Sequence, residues 1–394
     1  MSPSHTLDTD VLVVGGGTAG AIAAVAAGRL GARTTLVEAG SQLGGTMTTG
    51  GVDWPGLFFA WGRQVVGGIG WELVSACAAL QGDALPDFAQ SVGEAMRRHP
   101  TFQVPLCGGL YAALAEEACT AAGVALRYYE SPAEVTADCD GWLVTTVGKG
   151  VCVRHRCRQL IDCTGNASLI DLAGFARQRG EQRQPGSIVY TLDRPNNWAA
   201  GGGYRHQQYV LEADVSTAET HTQANLAGRA ALLRALRALR ALRATPDGRT
   251  VRLISVQPET NSRETWRIVG EYEVTVDDYT SGRRHEDTVA LMYYPVDLHT
   301  PDGVRPQHLA EGTLVSIPLR ALIPLGSRHL LVAGRCVASD RLANSGLRVQ
   351  ASCMAMGQAA GTAAALAARL GVSPGEVPMR QLEQTLCSQG AVLT

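Results

Sequence analysis

The chain has 394 residues and a net charge of −2, with 34 basic against 36 acidic side chains, so its charge points to neither nucleic acid nor a membrane surface. A chain of this length can bury a large core and holds about two domains. Residues 1–10 are polar and lack the basic start and apolar core of a secretory signal. The best apolar run, 354–370, is rich in Ala and Gly and carries Gln358 and Arg369, so a cytoplasmic protein without a membrane span is expected.

The first predicted element is the strand Val11-Leu12-Val13-Val14. It runs into Gly15-Gly16-Gly17-Thr18-Ala19-Gly20, an Ala-rich helix to Leu30, a second strand from Thr34 to Val37, and then Glu38. Strand, glycine turn, helix, strand and acid together form a dinucleotide-binding unit. Gly15 permits the tight turn, Gly17 lets a pyrophosphate approach the backbone, and Gly20 lets the helix pack close to the sheet. Thr18 and Ala19 open the helix, whose free N–H groups and dipole favour phosphate. Glu38 lies 18 residues after Gly20 and suits two ribose hydroxyls; it would repel a 2′-phosphate. Ala39, Gly44, Gly45 and Thr46 follow as small residues that can lie along the same ligand.

Residues 51–104 are broken by Pro55, Pro86 and Pro100, with a partly helical stretch over 64–80. Apolar spacing predicts a helix over 106–122. Short strands are predicted at 124–129, 131–137, 142–147 and 150–156, three of them forming a meander. A buried strand, 159–163, ends at Thr164-Gly165. Residues 181–324 are richer in Tyr, Pro and charge, with strand-like runs at 187–192, 209–213, 267–276 and 289–294. Between them, 230–243 is a low-complexity helix carrying Arg234, Arg237, Arg240 and Arg243, read as a solvated face. Gly201-Gly202-Gly203 follows no apolar strand and reads as a loop, so no second nucleotide fingerprint is present. From His329 the pattern returns to strand and turn through Gly334-Arg335, followed by a helix of small residues over 347–370.

The ten cysteines show no C-x-x-C and no zinc spacing, so reduced thiols and no metal site are expected. The sole lysine, Lys149, sits at a predicted hairpin tip, which excludes a buried Schiff-base lysine.

Four stretches together resemble the FAD-dependent oxidoreductases of the glutathione-reductase-like fold. They are 11–38 with Gly44-Gly45; 161–167, IDCTGNA; 263–272, RETWRIVGEY; and 331–339, LVAGRCVAS, continuing into 347–361. The last two are similar to the family known simply as FAD-dependent oxidoreductases, many without an assigned substrate. The resemblance implies an α/β fold: a Rossmann-like FAD-binding domain with a β-meander, assembled from 6–55, 105–180 and 325–394. A mixed α+β substrate domain would come from 56–104 and 181–324. Disulfide reductase chemistry is not expected, because no thiol stands just after the first unit and Cys152 and Cys157 lie elsewhere. One departure is that Asp340-Arg341-Leu342 stands where relatives often carry Thr-His-Glu.

By the same resemblance FAD binds extended. Its adenosine end lies at Gly15–Gly20 and Glu38, main-chain groups near Val135 hold the adenine, and the pyrophosphate passes Thr164, Gly165, Gly334 and Arg335. The isoalloxazine would sit by 44–48 and the start of the 347–370 helix, with Arg348 in contact. A hydride acceptor needs a neighbouring proton handler. Asp297 and His299, two apart on an extended segment, can face one pocket. Arg263 and Arg267, if helical, could clamp a carboxylate, with Glu264 as a competing ion partner. Trp54, Phe58, Phe59 and Trp61 could wall the flavin pocket or pack in the core, and Gly67-Gly68 could admit close approach to the cofactor. The expected activity is hydride exchange between a small polar organic substrate and flavin N5, with the electron acceptor open among oxygen, quinone and protein. The alternatives are an O₂-activating hydroxylase, disfavoured because Gly334-Arg335 replaces the usual Gly-Asp, and a relay to a protein partner through the arginine helix.

Overall fold

The strand His5–Val14 passes through the glycine turn into the helix Thr18–Arg29, and the chain returns as Thr34–Glu38 in parallel register, Val11 opposite Thr34. The structure is a computed structural model that describes residues 5–88, 102–193, 204–242, 252–304 and 306–394. Val11 to Val14 are all buried, as expected of a central strand covered on both faces. The long strand Val151–Asp162 runs parallel to His5–Val14 on its other side. Its first part also pairs with Gly141–Gly148 of the meander, and its last residues pair with Leu330–Val332. Ala125–Tyr128 adds the edge next to Thr34–Glu38, giving a seven-stranded mixed sheet.

The helix Gln350–Leu370 lies against the first helix, and small residues decide how closely. A Cβ on Gly357 would stand 2.2 Å from the Ala19 carbonyl oxygen, and one on Gly361 would stand 2.1 Å from that of Ala23. The two backbones therefore touch where any side chain would separate them.

Two apolar cores form among the described residues. The smaller joins Ile188, Tyr190 and Leu192 of Gly186–Leu192 to Ala224 and Leu232 of the arginine helix, Ala218–Leu242. Buried residues of 57–74 and 268–323 belong to the large core, together with those of the first sheet. The small core also explains the arginine helix: Leu232, Leu236 and Leu239 face the three-stranded sheet of Gly186–Leu192, Tyr204–Val210 and Leu253–Val256.

Several boundaries differ from the sequence reading. The helix predicted over 64–80 begins only at Ile69, because Gly68 takes φ +73° and breaks the chain before it. The strand predicted over 267–276 forms a ladder at Arg267–Ile268, with isolated bridges from Gly270 to Pro324 and from Val274 to Ser339. Thr275 and Asp278 then form a reciprocal cap that starts a helix, Val276–Ser281. The helix predicted over 347–370 begins at Gln350, after a separate short helix, Arg341–Leu347, with Val349 extended between them. Pro100, Gly201–Gly203 and Arg243 lie outside the described residues.

Candidate active site

A cleft of about 730 Å³ is bordered by the glycine turn, by Glu38, by the Thr164-Gly165 loop and by Arg335. Arg263, Asp297, His299 and Arg348 border it too, so residues far apart in sequence share one cavity.

The turn assigns each glycine a distinct task. Gly15 has φ +100°, and a Cβ there would lie 2.4 Å from the Cys163 carbonyl oxygen. A Cβ on Gly20 would stand 1.7 Å from the Gly15 carbonyl oxygen. At Gly17 the nearest atom to such a Cβ is 3.9 Å away, so its missing side chain serves the open cleft and not the fold. Gly17 caps the first helix with no side chain on the leading N–H groups, which leaves them for an anion. Gly44 donates its N–H to the Gly16 carbonyl at 2.9 Å, laying the 44–46 loop along the turn. Glu38 accepts from the N–H groups of Gly16 and Gly40, both at 2.6 Å. Burial raises its pKa against the pull of these donors.

Asp162, fully buried, accepts from Thr164 N–H and Oγ1 and from the N–H groups of Leu169 and Ile170, fixing the loop that follows its strand. Arg335 donates from Nε to the Gly165 carbonyl at 2.7 Å, from Nη2 to Asn166 Oδ1 at 2.9 Å and from Nη1 to the Ser262 carbonyl at 3.3 Å. It thus ties three segments together at the edge of the cleft. Val135 does not border the cleft; it is buried in the meander opposite Val144.

The expected proton handlers meet. His299 Nε2 lies 3.0 Å from Asp297 Oδ2, and Arg348 Nη2 donates to the same oxygen at 3.3 Å and to the Asp297 carbonyl at 3.1 Å. Tyr209 adds a partner that the sequence reading missed: its hydroxyl lies 2.5 Å from His299 Nδ1. Burial lowers the His299 pKa and, with help from Arg263 and Arg348, outweighs the opposing pull of the Asp297 hydrogen bond and charge. A neutral ring fits both contacts, with Nε2–H donating to Asp297 and Nδ1 accepting from Tyr209. Burial alone would raise the Asp297 pKa, but the His299 hydrogen bond and the Arg348 charge bring it below the usual carboxylate value. Both ring nitrogens of His299 are thereby engaged. Asp297 Oδ1 has no donor among the described residues, which makes it the open basic atom of the pair.

Arg263 and Arg267 do not form a clamp, because the chain there is not helical. Arg263 donates to Ser187 Oγ at 2.9 Å, while Arg267 turns away to the Ser339 carbonyl. Glu264 pairs with neither; Arg341 reaches it at 3.0 Å. The departure at 340–342 is therefore structural here: Asp340 caps the helix Arg341–Leu347 through Ala343 N–H, and Arg341 holds Glu264. Trp54 and Leu57 border the cleft, but Phe58 is core, Phe59 stacks on Phe88, and Trp61 meets Tyr293 edge-on. Gly67 and Gly68 make room for Gly390 and Gln358, not for a cofactor. His221, Glu259 and Asn261 also border the cleft; they come from segments with no motif, and only the fold places them there.

The residues present fit FAD. An open glycine cradle, an uncapped helix N-terminus and a carboxylate border one end of the cavity. The N-terminus of the 21-residue helix Gln350–Leu370, also without a side-chain cap, contributes Gln350 and Cys353 to the same cavity. Among the described residues no group of His, Cys, Asp and Glu is arranged to hold a metal, and no helix is long and apolar enough to cross a membrane.

The fold resembles that of a geranylgeranyl bacteriochlorophyll reductase-like protein from Thermoplasma acidophilum (TM-score 0.51, 13% identity, 98% of this chain and 84% of that one). It also resembles that of CabE, an aromatic hydroxylase from angucycline biosynthesis (TM-score 0.50, 13% identity, 98% of this chain and 69% of that one). At this identity the likeness extends to the fold alone. No curated protein sequence matches the chain. The model of the FAD dependent oxidoreductase family matches residues 10–194 and 190–386, so the chain is an FAD-dependent enzyme of that family.

Proposed function

We propose that the enzyme exchanges a hydride between a small polar organic substrate and FAD, with Asp297 as the proton acceptor. The observation that carries this reading is the shared cavity: the glycine cradle and the Asp297–His299 pair border the same space. Gly15, Gly17, Thr18, Ala19, Gly20, Glu38 and Ala39 would hold the adenosine and pyrophosphate end. Thr164, Gly165, Gly334 and Arg335 would flank the pyrophosphate, and Gly44, Gly45, Thr46 and Arg348 the ring end. When bound, FAD supplies the two-electron acceptor.

The chain's own residues then do four things. Arg348 and His299 orient the Asp297 carboxylate through Oδ2. Tyr209 fixes the His299 tautomer by donating to Nδ1, so Nε2–H stays directed at Asp297. Asp297 Oδ1 accepts the proton of a substrate hydroxyl or amine as its C–H bond is broken. Trp54, Leu57 and Tyr294 wall the cavity and limit water. The low pKa keeps Asp297 ionised, and so ready to accept, at neutral pH.

Anaerobic addition of candidate alcohols and amines, followed by loss of the oxidised flavin band, tests the reading. Bleaching by such a compound, slowed in Asp297→Asn with flavin content unchanged, is expected. Flavin that no organic donor bleaches, but that consumes NAD(P)H and inserts oxygen into a substrate, would identify a hydroxylase instead.

A further inference from the structure

Arg263 is a buried cation without a salt-bridge partner among the described residues. It is 8% exposed, and its Nη1 is occupied by two neutral acceptors, Ser187 Oγ at 2.9 Å and the Pro185 carbonyl. Its guanidinium lies over the Tyr209 ring, 5.1 Å from the centroid. The other edge, Nε and Nη2, donates to no acceptor among the described residues, and the residue borders the cleft. Asp297, the carboxylate whose charge acts on Arg263, is already shared by His299 and Arg348. Two guanidiniums thus face one carboxylate, and this end of the cavity keeps one positive charge. A buried charge left unpaired is costly, and the cost is recovered when a ligand supplies the counter-charge. Nε and Nη2 form a planar fork that matches the two oxygens of a carboxylate.

We propose that the substrate carries a carboxylate, which docks on the Nε/Nη2 edge of Arg263 while the reacting centre faces Asp297. The proposal rests on the oxidoreductase reading above and narrows its substrate class to carboxylate-bearing alcohols or amines. Ser187 and Tyr209 would hold the guanidinium in place. The two occupy facing positions on adjacent antiparallel strands, and so share one face of that sheet.

The test is calorimetric titration of the FAD-loaded protein with two matched pairs, benzoate against benzamide and acetate against acetamide. Each acid should bind at least about 10-fold more tightly than its amide. Arg263→Met should remove that preference, Arg263→Lys should keep part of it, and both should retain flavin. Equal binding of acid and amide to the wild-type protein, or no binding of either, overturns the proposal without recourse to a variant. So does an Arg263→Met protein that keeps the preference and loses only flavin affinity, which would assign the arginine to the cofactor. Flavin that discriminates nothing but is still bleached by a neutral alcohol or amine refutes the carboxylate alone. Purified protein that neither carries flavin nor takes up added FAD refutes the reading beneath it.

Discussion

Replacing Gly17 by valine should abolish FAD binding without unfolding the protein, whereas replacing Gly20 by alanine should damage the fold itself. The two glycines are three residues apart and belong to one motif, yet their surroundings differ. Gly17 has φ −68° and ψ −163°, a conformation open to any L-residue, and its added Cβ meets nothing closer than 3.9 Å. Valine there should cost the apoprotein no more than about 1 kcal/mol, because it is a poorer N-cap than glycine but its added Cβ meets no close neighbour. Its methyl groups would occupy the space a pyrophosphate needs, and a loss of at least about 100-fold in affinity, roughly 2.7 kcal/mol, is expected. At Gly20 the added Cβ would sit 1.7 Å from a carbonyl oxygen of the turn, so the backbone must shift by more than an ångström. Overpacking of this kind costs about 1–3 kcal/mol, and backbone contacts sit at the upper end. Urea unfolding of the apoproteins, followed by tryptophan fluorescence, reads the first quantity; titration with FAD, followed by flavin fluorescence, reads the second. Two results would refute the reasoning: a Gly17→Val apoprotein as destabilised as Gly20→Ala, or one that binds FAD like the wild type.

Asp297→Asn should slow anaerobic flavin reduction by about 10²–10³-fold with flavin content intact, because the open oxygen can no longer take a proton. Tyr209→Phe should slow it less and move its pH dependence, since the ring of His299 loses the hydroxyl that fixes its tautomer; an unchanged pH profile would remove Tyr209 from the account. His155 is fully buried, and burial, with help from Arg127, pulls its pKa from 6.5 to about 4 against the opposing effect of Glu130. The folded state therefore binds fewer protons than the unfolded chain, and stability should fall as pH drops from 6.5 towards 4, by roughly 3 kcal/mol in all. His155→Leu should flatten the stability-versus-pH curve in that window, and superimposable acid-unfolding curves would contradict the assignment. Gly357→Ala should destabilise the contact between the first helix and Gln350–Leu370 by about 1–3 kcal/mol in urea unfolding, because its Cβ would meet a carbonyl oxygen at 2.2 Å.

The first unit was legible because its constraints are local. Strand, turn, helix and acid lie within one short stretch, and Gly20 answers to Gly15 within the same turn, although Gly15 itself abuts the distant Cys163. Asp297 and His299 were legible for a similar reason, since alternation along an extended segment puts them on one side. Tyr209 was not, because it reaches His299 across 90 residues of chain. The clamp of Arg263 and Arg267 was conditional on a helix, and that condition fails because Arg267–Ile268 form a two-residue strand with Arg177–Gln178. The break at the extended Val349 was invisible in the sequence; what fixes the preceding short helix is the Asp340 cap, reinforced by a bond from Val276 N–H to that carboxylate. Gly67-Gly68 looked like a cofactor contact because glycine pairs serve any close approach, and here the approaching groups are Gln358 and the C-terminal segment.

The most direct test of the central claim is the flavin content of the purified native protein, read from visible spectra before and after acid precipitation. One FAD per chain, released into the supernatant, is predicted. A colourless protein that also fails to take up added FAD would contradict the assignment of the cleft.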